Sequence, residues 1–217
     1  MHLIGFELDR LEKHLLTLTA VVEESVQLAI KALEDCNYDL AKKVVDNDAQ
    51  VNRMEVELEE ECLKVLALHQ PVANDLRIIV AILKINNDLE RIADQAANIS
   101  ERAIAICEIG NGKNRLNIDE MAKKVLDMLE KSLDSLVNAD LETARAVLDL
   151  DDEVDTIHSQ NYQAFKSHVR QDPESVDQLL NYLTVSRHLE RIADLATNIA
   201  EDVIYLNEGE IIRHTIA

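Results

Sequence analysis

Apolar residues recur every three or four positions along most of the chain, which is the spacing of one face of an amphipathic α-helix. Helix breakers rarely interrupt this pattern, since the 217 residues include only four glycines and two prolines. Aromatic residues make up 3% of the chain. The pattern therefore predicts an all-α fold. We expect six long helices at about residues 7–36, 39–68, 72–109, 117–138, 140–170 and 173–207.

The second half of the chain repeats the first. Residues 88–104 and 188–204 are identical at eleven of seventeen positions, at an offset of 100, and a weaker correspondence at an offset of 103 lies upstream. Short connections between long helices make neighbours antiparallel. The sequence thus predicts a tandem pair of antiparallel three-helix bundles, one in residues 1–111 and the other in residues 112–217.

Charge and cysteine content limit the classes of function. Acidic residues outnumber basic residues by 42 to 22, so the formal net charge is −20. Such a surface repels phosphate backbones, which argues against nucleic acid and favours a cation or a basic protein surface as partner. No membrane span or signal peptide is expected. Because Cys36, Cys62 and Cys107 are odd in number and form no CxxC pair, we expect thiols in core or half-buried positions and a cytoplasmic protein.

Oxygen-bearing side chains follow one face of the third and sixth predicted helices. Within each helix they fall inside about 80° of a helical wheel. They are Glu90, Asp94, Asn98 and Glu101 in the first half, and Glu190, Asp194, Asn198 and Glu201 in the second. The preceding helices carry similar sets, namely Asp48, Asn52 and Glu55, and Asp151, Asp155 and His158. These residues border the apolar arc, where two helices of a bundle meet.

Like charges gathered at a helix boundary repel one another unless a cation lies between them. Carboxylates from facing helices are known to bridge two or more hard or borderline cations. We therefore infer a metal site in each half, the alternative being a solvated surface with local ion pairs. Two interpretations are open for Arg91 and Arg191, which either bind phosphate or pair locally with acids.

Other reactive residue types form no recognisable motif. The sequence contains no P-loop, no GxSxG and no HExxH, so we expect no catalytic residue and no enzyme activity. We interpret His69, His168 and His188 as ordinary helix surface, because they form no recognisable pair.

The repeated LERIAD-x-A-x-N-I-x-E stretches, together with QPVANDLR at residues 70–77, resemble the PhoU family over essentially the whole chain. The resemblance implies two similar three-helix bundles in a cytoplasmic, commonly dimeric protein. It implies a non-catalytic regulator of phosphate uptake and a negative regulator of phosphate-starvation signalling. Its partners would be the ATPase subunit of a phosphate ABC transporter and a sensor histidine kinase, with membrane contact only through them.

The resemblance also implies metal ions at the acidic motifs. These would be divalent or trivalent, with multinuclear iron foremost and zinc, manganese or magnesium as alternatives. By position, Asp48, Asn52, Glu90 and Asp94 would form the first site, and Asp151, Asp155, Glu190 and Asp194 the second. Further candidates are Glu55, Asn98, Glu101, His158, Asn198 and Glu201. Asn52 corresponds to Asp155, so the first site is expected to carry less charge.

Two other functions compete with this interpretation. A ferritin-like, carboxylate-bridged oxidase needs Glu-x-x-His on two helices. The third residues after Glu90 and Glu190 are Ala93 and Ala193, so the imidazole is missing from both motifs. A purely structural helical scaffold is the third interpretation, and it predicts neither metal nor partner binding.

Overall fold

The computed structural model describes residues 2–110 and 116–209, and α-helices account for nearly all of them. They are α1 (His2–Glu34), α2 (Tyr38–His69), α3 (Asn74–Ile109), α4 (Ile118–Asn138), α5 (Leu141–Gln171) and α6 (Val176–Glu208), with a 3₁₀ turn at Pro173–Ser175. These two ranges contain no strand. The predicted all-α fold is therefore confirmed. The predicted boundary between residues 111 and 112 lies outside the described residues.

Polar caps fix the starts of α2 and α5. The Asn37 side chain accepts a hydrogen bond from the backbone N–H of Leu40 at 3.1 Å. Asp140 Oδ1 accepts from the N–H groups of Glu142 and Thr143 at 3.0 and 3.3 Å. Each cap satisfies donors that the first helical turn leaves unpaired. Asn37 is therefore the N-cap of α2 and Asp140 the N-cap of α5.

Three helix starts, predicted only approximately, are shifted: the first by five residues, the third by two, and the sixth by three, because a 3₁₀ turn at Pro173–Ser175 precedes Val176. The third helix begins at Asn74 and not at residue 72, because the chain first turns through positive φ at Gln70 (44°) and Ala73 (51°). Such angles lie outside a right-handed helix. The first helix begins at His2 and not at residue 7.

The repeated stretches lie at the centre of the molecule. Helices α1, α2 and α3 pack together, as do α4, α5 and α6, and the two groups join mainly where α3 packs against α6. Ile92 and Ile192, which occupy matching positions of the repeat, are both fully buried. One continuous apolar cluster includes residues of both halves. Among the helices of the two described ranges, none combines the length and apolar character that a membrane span requires.

The expectation of three free thiols is wrong for one pair, so the cysteines do not support the predicted cytoplasmic location. Cys36 and Cys107 form a disulfide whose Cα atoms are 5.6 Å apart. They are far apart in sequence, but the first and third helices of an up-down-up bundle run in the same direction. The C-terminal ends of α1 and α3 therefore lie together. Cys62 is free and buried, and burial raises its thiol pKa to about 12, in agreement with the predicted core position.

We expect the Cys36→Ser substitution to lower the free energy of unfolding by about 2–4 kcal/mol under non-reducing conditions. The disulfide closes a chain segment with a sequence separation of 71, so its loss gives the unfolded chain more conformational freedom. Urea denaturation of both proteins, with and without reductant, measures the effect. Reductant should lower the stability of the wild type to that of the variant and leave the variant unchanged; a wild type insensitive to reductant would contradict the assignment.

Candidate metal sites on the two repeats

The first acidic cluster lies where α2 packs against α3. Burial raises the pKa of Glu90, and the charges of Asp94, Glu55 and Asp48 raise it further. Burial also raises the pKa of Asp94, with a further contribution from Asp48. Charges on α2 thus act on carboxylates of α3. The structure brings the two acidic sets of the first half to one helix boundary, as the wheel predicted.

Two oxygen atoms of this cluster are buried without a hydrogen-bond partner. Asn52 Nδ2 donates to Asp48 Oδ2 at 3.1 Å. The two other side-chain oxygens, Asp48 Oδ1 and Asn52 Oδ1, are buried, and neither accepts a hydrogen bond from any described residue. Buried acceptors without a partner cost free energy. Carboxylate and amide oxygens are ligands that hard cations prefer, so the donor set fits a metal ion.

The second cluster lies where α5 packs against α6. The pKa of Asp151 rises to about 6, first through burial and then through the charges of Asp155 and Asp194. The pKa of Glu190 is raised by burial and by Asp194 and Asp155, and that of Asp194 by burial and by Asp155. These charges act across the boundary between the two helices. The second half therefore repeats the arrangement of the first.

His158 belongs to the same boundary. Its Nδ1 atom lies 2.9 Å from Ser186 Oγ. That hydroxyl donates to Met121 Sδ at 3.2 Å and accepts from Asn161 Nδ2 at 3.1 Å. With the hydroxyl donating to Met121 Sδ, it accepts from His158 Nδ1, and the tautomer that makes this bond has its lone pair on Nε2. A neutral imidazole with a free Nε2 lone pair is a suitable metal ligand.

The first half has a carboxylate at the position of His158. Glu55 corresponds to His158, and Asn86 corresponds to Ser186. Asn86 Nδ2 donates to the backbone carbonyl of Glu55 at 2.9 Å and lies 3.5 Å from its Oε1. The same pair of positions is thus in contact in both repeats. The two sites differ by a carboxylate in place of an imidazole, as well as by Asn52 in place of Asp155.

The remaining candidate metal ligands differ in how far they are exposed to solvent. Glu101 is exposed and forms an ion pair with Arg102 at 3.6 Å, so the structure assigns it a local contact. Asn98 and Asn198 are partly buried on α3 and α6. Glu201 is partly buried on α6.

The clusters are open arrangements of side chains. Within the described ranges, no three or more His, Cys, Asp or Glu side chains are already arranged to hold one ion. The carboxylates raise one another's pKa without converging on a single centre. Asp94, Asp155 and Asp194 are exposed and free of packing on one side. Their exposure leaves these side chains room to rotate toward an ion.

All three histidines predicted to lie on the surface, His69, His168 and His188, are partly buried. His188 Nδ1 lies 2.9 Å from Gln95 Oε1, across the contact between α3 and α6. Burial lowers its pKa to about 4, and Arg191, Arg102 and Arg187 add to this effect. The Nδ1 atom of His168 is buried as well. The prediction failed for His188 because the absence of a histidine pair in the sequence carries no information about packing between the halves, where α3 meets α6.

In metal-free protein, Asp151→Asn is expected to stabilise the fold at about pH 7.5, by on the order of 1 kcal/mol after allowing for partial exposure. The folded-state pKa of about 6 lies above the ordinary value of 3.8, so the native protein binds this proton more tightly than the unfolded chain. The stability from protonation is complete below about pH 4 and is lost as the pH rises through 6. Urea titrations of both proteins with chelator, at about pH 4.5 and 7.5, measure the difference. A stabilisation independent of pH would contradict the assignment.

The comparisons with known proteins address the whole chain. The PhoU domain matches twice, over residues 15–103 and 118–203, which include both acidic clusters. The chain belongs to the PhoU family. The prediction made from the repeated motifs is thereby confirmed.

Relatives of known sequence or structure match this chain over nearly its full length. A Pseudomonas aeruginosa protein named phosphate-specific transport system accessory protein PhoU homolog is 38% identical over 209 residues, which is 96% of this chain and 86% of that protein. The crystal structure of PhoU from Pseudomonas aeruginosa has a TM-score of 0.92 and 37% identity, covering 95% of this chain and 99% of that one. The phosphate transport system regulatory protein PhoU from Streptococcus pneumoniae has a TM-score of 0.84 and 28% identity, covering 96% and 98%. The fold is thus that of PhoU crystal structures.

Proposed function

We propose that this chain regulates phosphate uptake and restrains phosphate-starvation signalling. In this proposal it is a cytoplasmic, homodimeric, non-catalytic adaptor between the ATPase subunit of a phosphate ABC transporter and a sensor histidine kinase. The observation that carries it is the presence of the PhoU domain in both halves. The names of the relatives, which describe an accessory protein and a regulatory protein of phosphate transport, point the same way.

Metal ions would complete the two acidic clusters. Asp48, Asn52, Glu90 and Asp94 would hold the first ion or ions, with Glu55 beside them. In the second site Asp151, Asp155, Glu190 and Asp194 would do so, with His158 as a nitrogen ligand. The cation would neutralise the clustered carboxylates and link two adjacent helices, so it would stabilise the folded state. Multinuclear iron suits such a set, and zinc, manganese and magnesium are alternatives.

We prefer the adaptor to an oxidase because the spacing of the candidate metal ligands in this sequence differs from the spacing in ferritin-like oxidases. Ferritin-like oxidases place Glu-x-x-His on each of two helices. In this sequence a carboxylate-x-x-His spacing occurs once, at Asp155 and His158, and Glu55 stands at the matching position of the first half. Rapid, stoichiometric oxygen consumption after anaerobic loading with ferrous ions would favour the oxidase.

A capture experiment tests the adaptor. The tagged chain, loaded with metal or treated with chelator, is mixed with the purified transporter ATPase subunit and with the kinase. We expect both partners to be retained by the loaded chain and more weakly by the chelated one. Failure to retain either partner in any metal state would refute the proposal.

A further inference from the structure

A polar cleft of about 340 Å³ lies where α3, α5 and α6 meet, between the two halves of the molecule. Its lining includes Arg91, Gln95, Asp151, Arg191, Asp194 and Asn198. Asp151 and Asp194 belong to the second acidic cluster. The cleft therefore adjoins the second candidate metal site and extends from it toward the first half.

The two arginines come from the same position of the repeated motif. Arg91 and Arg191 are separated by the repeat offset of 100, and the packing of α3 against α6 brings both to one cleft. Arg91 Nη1 lies 3.5 Å from Asp88 Oδ1, which is a long contact for an ion pair. Its charge also acts on Asp194 of the other half. The duplication thus supplies a pair of guanidinium groups that one half alone cannot form.

Two more arginines, Arg102 and Arg187, lie near the contact between α3 and α6 but are not part of the lining of the cleft. Arg102 and Arg187, together with Arg191, act on His188, which lies at the contact between α3 and α6. Arg102 contacts Asn181 on α6 through a long hydrogen bond of 3.4 Å. Arg102 also pairs with Glu101 at 3.6 Å, so the positive charge that favours an anion in the cleft comes from Arg91 and Arg191.

We propose that the cleft binds a tetrahedral oxyanion of the phosphate class between Arg91 and Arg191. The planar guanidinium group pairs with two oxygens of a phosphate at once, and two such groups would hold it from both sides. The Asn198 amide supplies a further donor. Two lysines at these positions would supply positive charge, but a lysine ammonium group cannot pair with two phosphate oxygens in this planar geometry.

The proposal rests on the proposed metal site in one respect. Asp151 and Asp194 line the same cleft and repel an anion while they are ionised and unpaired. A cation bound at the second cluster would neutralise them and would present positive charge to the cleft. Phosphate binding is therefore expected to be stronger in the metal-loaded chain than in the chelated chain.

Isothermal titration calorimetry of the full chain tests the inference. Inorganic phosphate, AMP and ADP are titrated separately, which distinguishes free phosphate from a nucleotide as the ligand of the cleft. We expect Arg91→Gln and Arg191→Gln each to weaken binding about tenfold or more. Arg91→Lys and Arg191→Lys retain the charge and should give intermediate losses. Arg145→Gln is the matched control, because Arg145 is exposed and pairs with Glu208 at 2.9 Å.

Metal content, measured on the same samples, separates the two proposals. Loss of phosphate binding in the arginine variants at unchanged metal content supports the cleft. Metal-loaded wild type that binds none of the three probes, or arginine variants that bind like the wild type, would overturn it while leaving the metal site standing. A wild type that takes up no metal would instead refute the metal part of the proposed function.

Discussion

The double substitution Asp48→Ala and Asp94→Ala is expected to remove the metal of the first half and leave that of the second half in place. One carboxylate comes from α2 and the other from α3, so the variant loses the link between the two helices. Removing a residue that only orients a metal ligand lowers metal affinity about 10–100-fold. Removing two ligands should therefore lower the metal affinity by more than about 100-fold. Elemental analysis after loading and dialysis measures the metal bound per chain.

Matched variants make this result specific. Asp151→Ala with Asp194→Ala should remove the metal of the second half only. Asp46→Ala with Glu108→Ala removes two exposed carboxylates from the same helices as the first variant, α2 and α3, and should leave the metal content unchanged. If the control loses as much metal as the first variant, the ions are held by general surface charge and the ligand assignment is wrong.

The substitution Ile92→Ala is expected to lower the free energy of unfolding by about 2–5 kcal/mol. Ile92 is fully buried in α3, the helix that packs against α1, α2 and α6, so the shortened side chain leaves a cavity at the centre. Urea denaturation measures the loss. Leu63→Ala is the control, because Leu63 is 52% exposed on α2 and its truncation should cost no more than about 0.5 kcal/mol.

The matching substitution in the second half tests how far the halves depend on each other. Because Ile92 and Ile192 belong to one continuous core, each change should shift a single unfolding transition. Two separate transitions, each moved by only one of the substitutions, would mean that the halves fold independently.

The fold was largely predictable from the repeat and the helix breakers. The spacing of apolar positions identified all six helices, with starts shifted by up to five residues. The start of α3 was missed because positive φ at Gln70 and Ala73 has no signal in residue type, neither being glycine. Local conformation at non-glycine residues depends on packing that a sequence pattern does not contain.

The two helices of each cluster were predictable, whereas contacts between the halves were not. The wheel placed Asp48 and Asp94 at a shared boundary because both lie at the edge of an apolar arc. The contact of His188 with Gln95 joins residues of different halves, and no periodicity within one half reveals it. The Cys36–Cys107 pair had a usable signal, since both cysteines lie near the C-terminal ends of helices predicted to run in parallel.

Crystallography of the metal-loaded protein at the absorption edge of the metal tests the central claim most directly. The account predicts anomalous peaks at two places, between α2 and α3 beside Asp48 and Asp94, and between α5 and α6 beside Asp151 and Asp194. Each peak should lie about 2.0–2.4 Å from carboxylate oxygens of both helices. Fully loaded crystals with peaks only elsewhere on the surface, or with none, would contradict the account.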